Sequence, residues 1–240
     1  MKSDYEQTLD KNFDKALELC SKSYSNEDLI ELLKTGNIAE KQFASLEIDE
    51  LKTKDDAKIF ISNLINCDGK IREAVAQKFS EFVTNKTYRE YFSNYPDILA
   101  KSTIDINANI SRIIIDGLAL MSDYTNFGEQ YTQYLINYIK EAFDGLDKIV
   151  FRDKKYTINK QLFKLYWCLE GLNNYYQYVD KDVLFKILER TLKESEYTVR
   201  EKSAQIIVQQ TDPIFNSLKD ELEADNNYYV KRILSNKKDG

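Results

Sequence analysis

The chain has 240 residues, with 34 Lys and Arg against 40 Asp and Glu, giving a formal net charge of −6. Nucleic acid is therefore not expected as a partner, because an acidic surface repels phosphate. No histidine is present, which excludes imidazole acid–base catalysis, His-dependent Ser or Cys hydrolysis and His-containing zinc enzymes. The 7 glycines and 2 prolines are too few for a fold rich in tight turns, so the composition favours an all-α protein.

The first predicted helix covers residues 4–22. It is interpreted as an N-terminal capping helix, which occupies residues 1–24 of the domain. Each of the next helices begins at a polar residue that can accept a hydrogen bond from the first turn. These predicted caps are Ser25, Asn37 and Thr53, with acidic partners at Asp28 for Ser25 and Asp56 for Thr53. The turn at Asp68 and Gly69 then precedes a helix over residues 70–85.

The second half of the chain continues the same pattern of helices and polar turns. Pro96 marks a helix start, because proline fits the first helical turn. Asp180 and the pair Asp212–Pro213 are further start signals. Predicted helices cover residues 110–121, 125–142, 157–172, 180–194, 197–210 and a last segment from 226. Residues 143–156 interrupt the pattern and are interpreted as an insertion on one face.

Six of these helices open on an aliphatic residue with similar surroundings, at Ile38, Ile71, Ile110, Ile158, Val199 and Val230. A basic residue follows directly at Arg72, Arg200 and Lys231, and Asp or Asn lies a few residues before at Asp68, Asn107 and Asn226. The interval between successive aliphatic residues ranges from 31 to 48 residues. Such a degenerate period is typical of stacked helix pairs, which bury their apolar faces only against neighbouring pairs.

The segments LINCDGKIREAVAQ, LKESEYTVREKSAQ and LEADNNYYVKRIL resemble the HEAT-repeat family. The resemblance implies a right-handed α-solenoid of about six stacked antiparallel helix pairs over residues 25–236. A single domain would then span residues 1–240, with a frayed tail at 237–240. It also implies a polar ladder between repeats, in which Asp68, Arg72, Arg200 and Lys231 have a structural role.

Basic and aromatic residues interleave at Arg152, Lys160, Lys164 and Trp167. This stretch can contact a partner or phosphates, or it can be a solvated helix face beside a loop. A second candidate is the tyrosine cluster Tyr175, Tyr176 and Tyr178, since exposed aromatic residues often anchor interfaces. The alternative is that these tyrosines fill the edge of the core with their hydroxyl groups reaching water.

The absence of a long apolar run predicts a cytoplasmic protein without membrane contact. Cys20, Cys67 and Cys168 are far apart and show no CxxC spacing, so neither a disulfide nor a zinc site is expected. We predict no catalytic residue, metal or cofactor. The predicted function is a monomeric, non-catalytic scaffold or adaptor that binds another protein through its concave face.

Two enzyme hypotheses stay open at this point. The first is a HEAT-like DNA alkylpurine glycosylase, a family similar in length and architecture, for which Trp167, Arg152 and Asp153 would be the candidate residues. The acidic net charge and the single tryptophan limit that resemblance to the fold. The other is a bilin-lyase-like HEAT subunit, which no particular residue supports.

Overall fold

The computed structural model describes residues 17–148 and 155–238, with side chains over residues 17–148 and 158–235. Helices dominate these ranges and no strand occurs within them, which confirms the all-α prediction. The chain divides into two compact units, Met1–Met121 and Ser122–Gly240. The single-domain organisation over residues 1–240 stays a prediction. Most of the predicted helix over residues 4–22 lies outside the described residues, within which residues 17–20 are helical.

The described part of the first unit contains seven named helices joined by short turns. Their bounds are α1 Asn26–Thr35, α2 Ile38–Glu47, α3 Lys54–Ser62, α4 Gly69–Phe82, α5 Lys86–Phe92, α6 Pro96–Thr103 and α7 Ala108–Ala119. The predicted start at Pro96 is confirmed. Helix α5 lies in an aromatic stretch to which the sequence analysis assigned no helix.

Capping boxes open the first three helices, as predicted for Ser25 and Thr53. The side chains of Ser25, Asn37 and Thr53 each accept a backbone hydrogen bond from the third helical residue. The acidic side chain at that third position in turn accepts a hydrogen bond from the N–H group of the cap residue. Two N–H groups that would otherwise lack an acceptor are thereby satisfied at each helix start.

In the first unit, α4 packs against both α2 and α7. Helices α1 and α3 form a second contact, and α3 also touches α5 and α6. The core between them is aromatic, with Phe60, Phe79 and Phe92 fully buried. Gly117 of α7 permits close approach, because a Cβ there would lie 2.8 Å from the Phe79 ring.

The second unit repeats this pattern of contacts. Helix α9 packs against α8 and α11, and α11 packs against α10, α12 and α13. The bounds are α8 Thr125–Asp147, α9 Lys155–Leu172, α10 Lys181–Thr191, α11 Tyr197–Ile207, α12 Asn216–Ala224 and α13 Tyr228–Lys238, with 3₁₀ turns at Tyr176–Tyr178 and Pro213–Phe215.

Helix α8 extends to Asp147, so the predicted end near Ala142 is wrong. The reason lies in packing, because Phe143 is buried and the Arg190 guanidinium lies 4.0 Å from the centre of its ring. Arg190 also forms a 2.6 Å ion pair with Asp147. Residues 149–154 of the predicted insertion lie outside the described residues.

Candidate functional site

The predicted basic and aromatic site on α9 is only partly exposed. Arg152 lies outside the described residues. Lys160 is exposed to solvent. Lys164 is half-buried, and its ammonium group lies 3.1 Å from a carboxylate oxygen of Glu141 on α8. An incoming anion would therefore compete with Glu141 for Lys164, whereas Lys160 is accessible.

Trp167 is part of the core of the second unit, with only 4% of its surface exposed. Its indole packs edge-on against Tyr166, at a centroid distance of 4.9 Å, and against Phe163 at 6.0 Å. The indole N–H has no hydrogen-bond partner within the described part of the chain. A ring held in this way cannot stack on a DNA base without rearrangement. Asp153, the carboxylate of the glycosylase hypothesis, lies outside the described residues.

The three clustered tyrosines differ in exposure. Tyr175 is 1% exposed and packs against Tyr131 at a centroid distance of 5.0 Å. Burial raises the pKa of the Tyr175 hydroxyl, so it stays neutral. Tyr176 and Tyr178 are half-buried, and the Tyr178 hydroxyl donates to the carbonyl of Ser122 at 2.8 Å. Only Tyr176 and Tyr178 therefore offer any surface to a partner.

Arg72, which the resemblance placed in a polar ladder, makes a bidentate ion pair with Asp105. The Nε–Oδ2 distance is 2.7 Å, and the Arg72 guanidinium also donates to the carbonyl of Cys67. The Asp105 carboxylate accepts a third hydrogen bond, from the Asn107 N–H at 2.7 Å. Arg72 thus connects the turns that precede α4 and α7.

Arg200 repeats this arrangement in the second unit. Its Nε lies 2.7 Å from Oδ2 of Asp225, and its Nη1 donates to the carbonyl of Glu194 at 2.8 Å. Asp225 in turn accepts from the Asn227 N–H at 2.7 Å. Burial opposes ionisation, but the hydrogen bonds from Arg200 and Asn227 outweigh it and lower the pKa of the Asp225 carboxyl. The arrangement is structural, because its polar groups are directed at each other.

The other two residues assigned to the ladder have different surroundings. Asp68 is the N-cap of α4, and its carboxylate accepts from the Lys70 N–H at 2.9 Å. Lys231 is exposed on α13, and its charge favours ionised Asp225.

An exposed aromatic surface, which the sequence analysis did not single out, lies where α11 and α13 begin. We call the side chains of Tyr197, Tyr228, Tyr229 and Arg232 the tyrosine surface. Tyr197 and Tyr229 stack at a centroid distance of 5.9 Å, and Tyr228 packs edge-on against Tyr229 at 5.6 Å. The three tyrosines are 37%, 68% and 49% exposed, respectively.

A cation completes the tyrosine surface. The guanidinium carbon of Arg232 lies 5.6 Å from the centre of the Tyr229 ring, within cation–π range. The available sequence signal was positional, because Tyr197 and Tyr228 each lie two residues before the aliphatic residues Val199 and Val230. Where α11 and α13 pack together, their aromatic first turns meet, and Tyr229 stacks on Tyr197.

Lys202 of α11 joins α11 to α9 through an ion pair and a cation–π contact. Lys202 lies 2.6 Å from a carboxylate oxygen of Glu170 and 5.2 Å from the centre of the Tyr166 ring. Burial acts to lower the pKa of Lys202, but the Glu170 carboxylate outweighs it, so the pKa is raised. Lys202 therefore stays charged at neutral pH and holds the two helices together.

The described residues hold no group of three or more acidic, Cys or His side chains that could bind a metal ion. Nor is any helix within the described ranges long and apolar enough to cross a bilayer.

Comparisons with known proteins assign no family. No family model matches the chain, and no curated protein matches it. One solved structure, described as the crystal structure of an engineered protein, covers 89% of this chain and 94% of its own. The two are 10% identical with a TM-score of 0.45, a likeness that carries no argument about fold or function.

Proposed function

We propose that this chain is a non-catalytic, HEAT-like helical-repeat protein that binds another protein. In the proposed arrangement, about six antiparallel helix pairs stack as a right-handed solenoid. The contacts of α2 with α4 and α4 with α7, and of α9 with α11 and α11 with α13, support it. So do the two equivalent Arg–Asp pairs, because the same polar contact recurs between successive turns.

The tyrosine surface is the observation that carries the binding proposal. Tyrosine and arginine are the residues most often found at the energetic centre of protein interfaces, together with tryptophan. Tyr228 is 68% exposed, so the ring gains favourable burial only when a partner covers it. The rings already pack on one another in the free protein. Binding a partner would therefore cost little side-chain entropy of these tyrosines.

The charge beside the rings indicates what the partner presents. Arg232 and Lys231 are both exposed next to Tyr229, and Arg232 forms no ion pair within the described part of the chain. A segment with an apolar or aromatic side chain next to a carboxylate would satisfy both features. We propose that the partner docks such a segment here.

The test uses a triple variant, Tyr197→Ser, Tyr228→Ser and Tyr229→Ser, in affinity capture from the source cells. A protein recovered with the parent is purified, and its binding is measured by calorimetry. We expect the triple variant to bind at least about tenfold more weakly, since hot-spot truncations cost about 2 kcal/mol or more. The variant should still fold, because these rings are exposed.

A matched control removes exposed aromatic rings elsewhere in the second unit. Tyr134 and Phe163 are 37% and 36% exposed, so Tyr134→Ser combined with Phe163→Ser should bind like the parent. Equal affinity of the triple variant and the parent would exclude the tyrosine surface as the binding site.

A further inference from the structure

A surface cavity of about 450 Å³ opens in the first unit between α1, α2, α3 and the turn before α4. Its walls include the half-buried apolar side chains of Ile59 and Ile65. Three lysines, Lys34, Lys41 and Lys58, also line it, and no Asp or Glu does. The volume lies in the range of sites that bind small ligands.

The charge of this cavity is opposite to that of the whole chain, which carries a net charge of −6. None of the three lysines forms an ion pair with another residue of the described ranges. A concave site lined by one sign of charge concentrates ions of the other sign.

A buried amide holds one of these lysines in place. Asn63 is only 4% exposed, and its amide nitrogen donates to the carbonyls of Leu33 at 3.1 Å and Ile59 at 2.9 Å. Its amide oxygen then accepts from the Lys41 ammonium at 3.0 Å and from the Cys67 thiol at 3.5 Å. Lys41 is thus oriented before any ligand arrives, which reduces the entropy lost on binding.

We propose that this cavity binds a small organic phosphate. Three cations match a phosphate dianion better than a single carboxylate, and lysine is a common phosphate ligand. The organic part of the molecule would lie against Ile59 and Ile65. The site is separate from the tyrosine surface, so either proposal can fail without the other.

The test titrates phenyl phosphate into the full chain at low ionic strength and measures heat of binding. We expect one site per chain, with inorganic phosphate binding more weakly because it lacks the apolar ring. The double variant Lys41→Met and Lys58→Met should bind phenyl phosphate at least about tenfold more weakly, since hydrogen bonds to charged groups contribute more free energy than those between neutral groups.

The control is Lys86→Met, which removes an exposed lysine of the same unit outside the cavity and should leave the affinity unchanged. Circular dichroism checks that both variants keep the parent's helix content. Equal affinity of the double variant and the parent, or no binding of phenyl phosphate at millimolar concentration, would overturn the proposal.

A second measurement needs no lysine variant. Cys67 lines the cavity and is half-buried, Cys168 is fully buried, and Cys20 is exposed. In a Cys20→Ser background, neutral iodoacetamide should therefore alkylate Cys67 in the native protein. Phenyl phosphate should slow this alkylation in proportion to occupancy of the site. An unchanged rate at saturating phenyl phosphate would place the bound molecule elsewhere.

Discussion

Arg72 and Asp105 are joined by two hydrogen bonds, Nε to Oδ2 at 2.7 Å and Nη2 to Oδ1 at 3.2 Å. Arg200 and Asp225 show the same pair of contacts, at 2.7 and 3.3 Å. In both cases the arginine directly follows the aliphatic residue that is shared by the aligned helices. Two equivalent ion pairs, one in each unit, make this contact a recurring element of the fold.

The first prediction concerns the strength of that contact. We expect Arg72→Met to lower the free energy of unfolding by about 3 kcal/mol, because Asp105 would be left buried without its cation. The Asp105 side chain is 8% exposed. Urea denaturation provides the measurement. The control is Arg112→Met, which removes an exposed arginine of α7 and should change stability little. Similar losses in both variants would contradict the prediction.

The second prediction concerns the contact between Gly128 of α8 and Tyr178. A Cβ at position 128 would lie 2.5 Å from two carbons of the Tyr178 ring. The ring cannot move freely, because its hydroxyl is bonded to the Ser122 carbonyl. We therefore expect Gly128→Ala to lower the free energy of unfolding by about 1–3 kcal/mol, measured by urea denaturation.

Gly69 is the matched control for that experiment. It begins α4, and a Cβ there would meet nothing within 4 Å. Gly69→Ala should leave the stability unchanged or raise it by up to about 1 kcal/mol, because alanine restricts the unfolded chain. If Gly128→Ala were as stable as Gly69→Ala, the close contact between Gly128 and the Tyr178 ring would be contradicted.

The third prediction concerns pH. The pKa of Asp225 is lowered in the folded protein: burial acts to raise it, but hydrogen bonds from Arg200 and Asn227 outweigh that effect. The folded state is therefore stabilised by ionised Asp225 above the unfolded pKa of about 4, and this contribution is lost as the pH falls through the folded pKa.

The measurement compares the parent with Asp225→Asn by urea denaturation between pH 7 and pH 3. We expect the parent to be more stable at pH 7 and the difference to shrink below about pH 4. Asp220→Asn removes an exposed carboxylate from α12 and controls for the change in net charge. A difference between Asp225→Asn and the parent that does not vary with pH would contradict the assignment.

Helix starts could be predicted because their causes are local. Ser25 and Thr53 cap their helices through hydrogen bonds to residues three positions away, and Asp180 caps α10 in a similar way. The end of α8 could not be predicted. The helix continues through Phe143 and Asp147 because both side chains contact Arg190, a residue more than forty positions later in the chain.

The candidate site was harder to predict than the fold. The sequence indicated that Trp167 and Tyr175 belong to aromatic clusters, but burial depends on which face of a helix its neighbours cover. Trp167 lies against Tyr166 and Phe163, and Tyr175 against Tyr131, so both rings are buried. The rings of Tyr197, Tyr228 and Tyr229 are exposed instead.

The sequence by itself determined the helical class, the capped helix starts and the recurring turns, because amphipathic spacing and capping act over a few residues. Only the tertiary structure decided that Arg72 meets Asp105, that three lysines share one cavity and that Tyr197 stacks on Tyr229. Arg72 and Asp105 lie 33 positions apart in the chain, Tyr197 and Tyr229 lie 32 apart, and the three lysines span 24 positions. Their contacts depend on how the helices pack, which no short segment specifies.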